Sequence, residues 1–285
     1  MPKPQFRTPG VLGLDPADAG STTDPSEDGT QTDANDMPTG PAAFTGVSRE
    51  AVYREAEERE IDAGKIDQGE ASLCGPAVVM YTLAAHRSGL YEGFVKELFE
   101  DGDATIGELR VTPGEDCRSH NPGGHIGAAD WVALAGLRDS ENLVFDYDEW
   151  SDTGQGITLP MSIESWLKRM GFGNVRNRTN LYLCKGKSNF MDAVEEQRKG
   201  RSVCMLINMD GIWEPDPGRG VFAQLISIPN HWVVLTGVES THDDNLRFKV
   251  FTWGNGDFKV PRITGVKLSM DDWLQNYYGY VSCDG

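Results

Sequence analysis

Residues 68–85 read QGEASLCGPAVVMYTLAA, and this stretch decides how the chain is expected to fold. A polar loop that contains glycine leads to Cys74, and a mostly apolar helix is predicted to begin there. Pro76 fits the first turn of that helix because its missing N–H would have no partner at this position. Cys74 is therefore expected at a helix N-terminus, where backbone N–H groups and the helix dipole stabilise a thiolate. That is the environment of a nucleophilic cysteine.

The composition is that of an acidic globular protein. Of the 285 residues, 39% are hydrophobic and 25% are charged, and the formal net charge is −18. This charge argues against a nucleic-acid partner, whose phosphates need a basic surface, and against adhesion to anionic membranes. No apolar run approaches the roughly 20 residues that a membrane-spanning helix needs. The first ten residues lack the apolar core of a signal peptide, so we expect a cytoplasmic location in the producing cell and any export to proceed without a cleaved signal peptide.

The cysteines and histidines do not indicate a metal site. The five cysteines are scattered without CxxC pairs, which fits neither a zinc ribbon nor a disulfide framework, and a reducing compartment is the simplest interpretation. Cys117, His120 and His125 share a glycine-rich loop, but their spacing matches no known zinc site. We interpret them as turn residues and predict neither a metal nor a cofactor.

The order of the predicted elements indicates an α+β fold. Residues 1–45 are rich in Pro, Gly, Asp, Ser and Thr and are predicted to be a disordered acidic tail or linker, whereas residues 46–285 form one domain. Helices come first in that domain, and antiparallel strands follow from SVCMLINM (202–209) onward. Residues 104–113 are predicted as one short extended segment, and LRFKVFTWGNG (246–256) as a returning strand.

A cysteine nucleophile needs a base, and His231 is the best placed of the five histidines. It opens the apolar strand HWVVLTGVES directly after a turn. His86 lies at the far end of the cysteine's own helix, about 18 Å away at 1.5 Å per residue, and is excluded. Gln68 precedes Cys74 by six residues, where its side-chain amide and the Cys74 N–H are expected to hold an oxyanion. Each residue alone is more often structural, and the combination indicates a catalytic site.

This combination resembles the papain-like cysteine peptidases. In that family a Gln-Gly pair opens the loop, the cysteine follows six residues later at a helix N-terminus, and a histidine begins a later strand. Gln68, Gly69, Cys74 and His231 match this pattern. The arrangement of helix, glycine, apolar strand, loop and HWVV is most similar to the bacteriocin-processing, C39-like branch.

Two positions depart from the family pattern. Gly75 follows the cysteine where papain itself has an aromatic residue. The third residue of the triad is an Asn in papain-like enzymes and an Asp in the C39-like branch, and FTWGNGD (251–257) occupies its place. We rank Asn255 first as the residue that orients the histidine, then Thr252, which falls at the C39-like Asp position, and then Asp257.

The resemblance implies a papain-like α+β fold and a thiol hydrolase that acts on an amide bond, as a cysteine peptidase or a deamidase. It covers roughly residues 65–85 and 190–256, and residues 114–185 are then an accessory insertion. It also implies a bacterial secreted effector or toxin, with a protein or peptide substrate and a cognate inhibitor or immunity protein as partners. Two alternatives stay open: a catalytically silent papain-like binding module and a peptidoglycan amidase.

Overall fold

A computed structural model describes residues 37–141, 157–209, 229–262 and 265–285. Most of the predicted tail, residues 1–36, lies outside the described residues, and so do parts of the predicted accessory insertion and of the segment before His231. One compact unit runs from Pro41 to Gly285. Phe44 is 1% exposed, so the end of the predicted tail belongs to this unit.

The first part of the compact unit is mostly helical. Its elements are α1 (Arg49–Ile61), a 3₁₀ turn (Ala63–Lys65), α2 (Cys74–His86), α3 (Tyr91–Asp101), β1 (Ala104–Ile106), β2 (Leu109–Val111), α4 (Glu115–Ser119), α5 (Ala128–Asp130), a π-helical segment (Trp131–Ala135), α6 (Gly136–Ser140) and α7 (Pro160–Arg169). The predicted extended segment 104–113 is instead an antiparallel hairpin, because Gly107 adopts φ 61° and lets the chain turn back. No helix in the described part of the chain is long and apolar enough to cross a membrane.

The second part contains the sheet. Its elements are β3 (Arg176–Asn177), α8 (Lys187–Arg198), β4 (Ser202–Ile207), β5 (His231–His242), β6 (Asn245–Thr252), β7 (Asn255–Val260), α9 (Met270–Leu274) and β8 (Tyr277–Cys283). The six strands lie in the order β3-β8-β4-β5-β6-β7, and all neighbouring pairs are antiparallel. The predicted α+β fold, with helices first and antiparallel strands second, is confirmed.

The sheet has a hydrophobic core on each face. The first cluster contains α2 together with Trp232 and Val234, whereas Val233 and Leu235 belong to the second cluster with residues of α8 and α9. Because successive side chains of a strand point to opposite faces, β5 is buried on both sides. This explains why its first five residues form a continuous buried run rather than an alternating pattern.

The strand that returns beside β5 ends earlier than the sequence suggests. β6 ends at Thr252, and β7 begins at Asn255. Between them Trp253 and Gly254 both have positive φ, 43° and 64°, so the chain reverses there. The Gly254 N–H donates to the Ile66 carbonyl at 3.1 Å, which ties this turn to the loop that precedes α2. The end of β6 and the start of the cysteine loop are thereby held together.

Candidate active site

Cys74 is the first residue of α2, and its thiol lies among backbone N–H groups. The N-cap residue Leu73 places no side-chain acceptor on the first turn, so the helix N–H groups there are not capped by a side chain. The N–H groups of Cys74 and Gly75 interact with the sulfur, and the N–H of Trp232 reaches it from β5. The N-terminus of α2 and the start of β5 therefore meet at this thiol.

Burial decides the charge state of Cys74. The residue is 7% exposed, and desolvation raises the pKa of its thiol above the ordinary value. The Trp232 N–H and the positive charge of Arg138 lower the pKa, but by less than desolvation raises it. The thiol is therefore protonated at neutral pH in this arrangement. The N–H groups at the helix N-terminus lower the thiol pKa, as the sequence predicts, but the loss of hydration raises it by more.

His231 begins β5 and is held by two neighbours. Its Nε2 atom lies 2.7 Å from the Thr252 Oγ1 atom, within hydrogen-bond distance. Its ring stacks on Trp253 with centroids 4.4 Å apart and an interplanar angle of 18°. The residue is 5% exposed, and burial lowers the pKa of the imidazole to about 3, so the ring is neutral at physiological pH. When Nε2–H donates to Thr252, the Nδ1 lone pair is the one that accepts a proton.

Of the three residues ranked for orienting the histidine, the structure brings Thr252 to His231. Asn255 is exposed at the start of β7, where its Oδ1 atom accepts from the Asp257 backbone N–H at 2.9 Å. The Asp257 carboxylate lies 3.4 Å from Lys249 on the neighbouring strand. The reason is the early end of β6, which leaves Thr252 as the last residue beside the histidine before the chain turns away.

Gln68 is buried in the loop before α2, and its amide makes a local hydrogen bond. Nε2 donates to the Ala71 carbonyl at 2.9 Å. A side-chain amide has two N–H donors, so this bond occupies one of them. The loop is held close to its neighbours, because Gly69 has φ 56° and a Cβ added there would lie 2.0 Å from the His125 carbonyl oxygen. The glycine of the Gln-Gly pair is thus required by the backbone.

Two buried residues that the sequence analysis did not single out complete the site. Arg138 Nη1 donates to Thr158 Oγ1 at 2.8 Å, and the Thr158 carbonyl accepts from Trp232 Nε1 at 2.9 Å. A Cβ added to Gly75 would lie 2.2 Å from Thr158 Oγ1, so the threonine packs directly on the start of α2. Both residues belong to the segment interpreted as an accessory insertion. No motif or spacing in the sequence points to them, because only tertiary folding brings them to Cys74.

The two candidate catalytic side chains have different surroundings. Cys74 and Trp232 share the core cluster on the α2 face, whereas Trp253, on which the His231 ring stacks, packs against the second cluster. Among the described residues, the hydrogen bond of the His231 ring is made to Thr252 and not to the cysteine sulfur. Proton transfer between them therefore requires the imidazole and the thiol to approach each other.

The loop residues considered as metal ligands have other partners. The His125 Nδ1 atom is 3.1 Å from the Glu70 carboxylate, and the His120 ring packs against Trp131 with centroids 4.9 Å apart. Cys117 is fully buried in α4. The described ranges of the chain contain no group of three or more His, Cys, Asp or Glu side chains arranged to hold a metal ion.

Comparison with protein-family models, with curated proteins and with solved structures finds no match for this chain. The function must therefore be inferred from the residues themselves. The packing of α2, which begins at Cys74, against β5, which begins at His231, and the hydrogen bond of His231 to Thr252 are the main support.

Proposed function

We propose that this chain is a thiol hydrolase that acts on an amide bond, with a papain-like arrangement nearest to the C39-like branch. The observation that carries the proposal is the packing of α2 against β5, where Cys74 and Trp232, one residue after His231, share a core cluster and the Trp232 N–H favours the thiolate. Nucleophile and base thereby belong to neighbouring elements, and Thr252 already holds the imidazole. An antiparallel sheet packed against the cysteine helix also fits this fold.

The proposed reaction has two acyl-transfer steps. His231 takes the proton of Cys74, and the sulfur forms a bond to the carbonyl carbon of the substrate amide. The oxyanion lies between the Cys74 N–H and the Gln68 amide, which has a second N–H besides the one donated to Ala71. The carbon–nitrogen bond then breaks as His231 returns the proton to the leaving amine. Water finally hydrolyses the thioester and restores the thiol.

A catalytically silent binding module with the same fold is the second candidate, and the burial of the site favours it. Cys74 and His231 are 7% and 5% exposed. Burial raises the pKa of the thiol and lowers the pKa of the imidazole to about 3, so neither group is charged at neutral pH. A neutral thiol is a much weaker nucleophile than a thiolate. Such a module binds its partner without turnover.

Substitution of Cys74 separates the two candidates. In the hydrolase, Cys74→Ala abolishes turnover and leaves the far-ultraviolet circular dichroism unchanged. Cys184→Ser is the matched control, because Cys184 is an exposed free cysteine outside the candidate site. Turnover that survives in Cys74→Ala contradicts the proposal, and a wild-type protein without turnover on every substrate class supports the binding module.

The substrate class is tested with three parallel assays on the wild-type protein. Cleavage of a peptide library identifies a peptidase, ammonia release from glutamine-containing proteins identifies a deamidase, and digestion of purified cell wall identifies a peptidoglycan amidase. As a bacterial effector or toxin, the hydrolase slows the growth of a bacterial host that expresses it, whereas Cys74→Ala does not. Co-expression of a cognate immunity protein restores growth.

A further inference from the structure

We propose that Arg138 supplies the positive charge that stabilises the Cys74 thiolate, in the role that a protonated histidine has in a thiolate–imidazolium pair. The inference rests on the proposed function, since it concerns the activation of the same nucleophile. Arg138 acts through Cys74 and is therefore a positioning residue rather than a catalytic one. Three observations support this role: the place of the guanidinium, the neutrality of His231, and the permanent charge of arginine.

The guanidinium is fixed beside the start of α2 by Thr158. Arg138 is 7% exposed, and its Nη1 atom donates to Thr158 Oγ1 at 2.8 Å. The same hydroxyl packs on Gly75, the residue after the nucleophile, at a distance that excludes a Cβ. The Thr158 carbonyl also accepts from Trp232, at the start of β5. Thr158 thereby links the arginine to both elements that meet at the thiol.

The imidazole is poorly suited to supply this charge. His231 is enclosed by Thr252 and Trp253, and its hydrogen-bond partner is a neutral hydroxyl. Burial without a carboxylate partner lowers the pKa of the ring to about 3. At physiological pH the ring can accept a proton during the reaction, but it does not carry a resting positive charge.

Arginine keeps its charge throughout the physiological pH range. Among the described residues that act on the Cys74 thiol, Cys74, Gly75 and Trp232 contribute N–H groups and Arg138 contributes a full positive charge. A charge buried near a thiol acts through a medium of low polarity, where it is screened less than at the surface. Its removal is therefore expected to raise the thiol pKa by about one to two units, which lowers the thiolate fraction at neutral pH at least roughly tenfold.

The test is the pH dependence of Cys74 alkylation by iodoacetamide in the full chain, followed by mass spectrometry of the peptide that contains Cys74. Arg138→Met removes the charge and keeps most of the volume. Arg138→Lys keeps the charge and loses the planar group. Arg110→Met is the matched control, because Arg110 pairs with Asp103 on the exposed hairpin. Thermal unfolding of each variant verifies that it is folded, and Arg138→Gln replaces Arg138→Met if the latter is not.

The expected result is a Cys74 alkylation profile that moves to higher pH in Arg138→Met by about one unit or more and stays near the wild type in Arg138→Lys and Arg110→Met. Equal profiles in Arg138→Met and wild type overturn the proposal. An equal shift of the alkylation profile in Arg138→Met and Arg138→Lys also overturns the proposal, because the shape of the side chain rather than its charge then sets the thiol pKa. Failure of the proposed hydrolase is a different result, namely turnover that survives in Cys74→Ala.

Discussion

The Nε2 atom of His231 lies 2.7 Å from the Oγ1 atom of Thr252, across the pairing of β5 with β6. The threonine hydroxyl fixes the orientation of the imidazole, as an Asn or Asp does in the families that the sequence resembles. It differs from a carboxylate because it carries no charge that would stabilise a protonated ring. Burial lowers the pKa of His231, and the neutral hydroxyl supplies no charge that would offset this effect.

We expect Thr252→Asp to raise the pKa of His231. A carboxylate within hydrogen-bond distance favours the imidazolium, and opposite charges at this range move a pKa by about one to three units. The measurement is an NMR titration of the histidine ring C–H signals, with the His231 signal assigned from His231→Gln. Thr252→Val is the matched control, because it keeps the shape of threonine without a charge. A His231 pKa that is equal in Thr252→Asp and Thr252→Val contradicts this prediction.

The buried His231 also makes stability depend on pH. Its pKa is about 3 in the folded protein and about 6.5 in the unfolded chain, so the unfolded state takes up a proton that the folded state does not. The free energy of unfolding therefore falls as the pH is lowered from about 6.5 toward 3, by about 1.4 kcal/mol per pH unit for this one proton. We expect urea unfolding between pH 7 and 4.5 to give a smaller loss of stability in His231→Gln than in wild type.

The comparison of the two proteins isolates this one group. Other titrating groups contribute to both curves, and their share cancels in the difference between wild type and variant. Below pH 6 the difference in unfolding free energy between wild type and variant should change with the slope expected for roughly one proton. Parallel curves of unfolding free energy against pH would mean that His231 takes up its proton equally in the folded and unfolded states. That result would contradict a buried, neutral imidazole.

The parts of the site that lie on regular elements were predictable from the sequence. The start of α2 at Cys74 follows from an apolar run with Pro76 in its first turn, and the start of β5 at His231 follows from a continuous apolar run after a turn. The choice of Thr252 over Asn255 was not predictable. It depends on where β6 ends, and there the chain reverses through the positive φ of Trp253 and Gly254 and bonds to the loop before α2.

The charge state of the site also required the structure. A helix N-terminus can be identified in a sequence, but the desolvation that raises the Cys74 pKa depends on elements that pack over it. Arg138 and Thr158 pack at the start of α2 from a segment with no motif, which was predicted only as an accessory insertion. Local patterns therefore predicted the elements that begin at Cys74 and His231, whereas tertiary packing determined the surroundings of the two residues.

The ion pair between Arg59 and Asp130 is expected to hold the loop that carries Gln68. Arg59 donates from Nε at 2.9 Å and from Nη2 at 2.6 Å to the two carboxylate oxygens, and Asp130 is fully buried. The Asp67 backbone N–H also bonds to this carboxylate. Removing one partner leaves a buried charge without compensation, so we expect Arg59→Met to lower the free energy of unfolding by about 3–5 kcal/mol.

A double variant tests this explanation by urea unfolding. In Arg59→Met with Asp130→Leu the buried carboxylate that lost its partner is also removed, and we expect most of the lost stability to return. Strictly additive losses in the double variant would show that packing rather than charge pairing determines the effect. Alkylation of Cys74 at fixed pH serves as a second readout, since disorder of the Gln68 loop exposes the thiol.

Substitution of Gly69, the glycine of the Gln-Gly pair, tests whether a close contact fixes the position of this loop. Gly69 and Gly89 both have positive φ, 56° and 84°, so alanine is strained at either position, by about 1–2 kcal/mol. The two glycines differ in the room that is left for a Cβ atom. A Cβ at Gly69 would lie 2.0 Å from the His125 carbonyl oxygen, whereas a Cβ at Gly89 meets nothing within 4 Å.

We therefore expect Gly69→Ala to be destabilised by the backbone strain plus about 1–3 kcal/mol for the steric conflict, and Gly89→Ala by the strain alone. Urea unfolding of the two variants measures the difference directly. Turnover provides the functional counterpart, because Gly69→Ala displaces the backbone next to Gln68 and should reduce the rate, whereas Gly89→Ala should not. Equal stability of the two variants would mean that the His125 carbonyl moves aside, and the close contact would then not be what fixes the position of Gln68 ahead of Cys74.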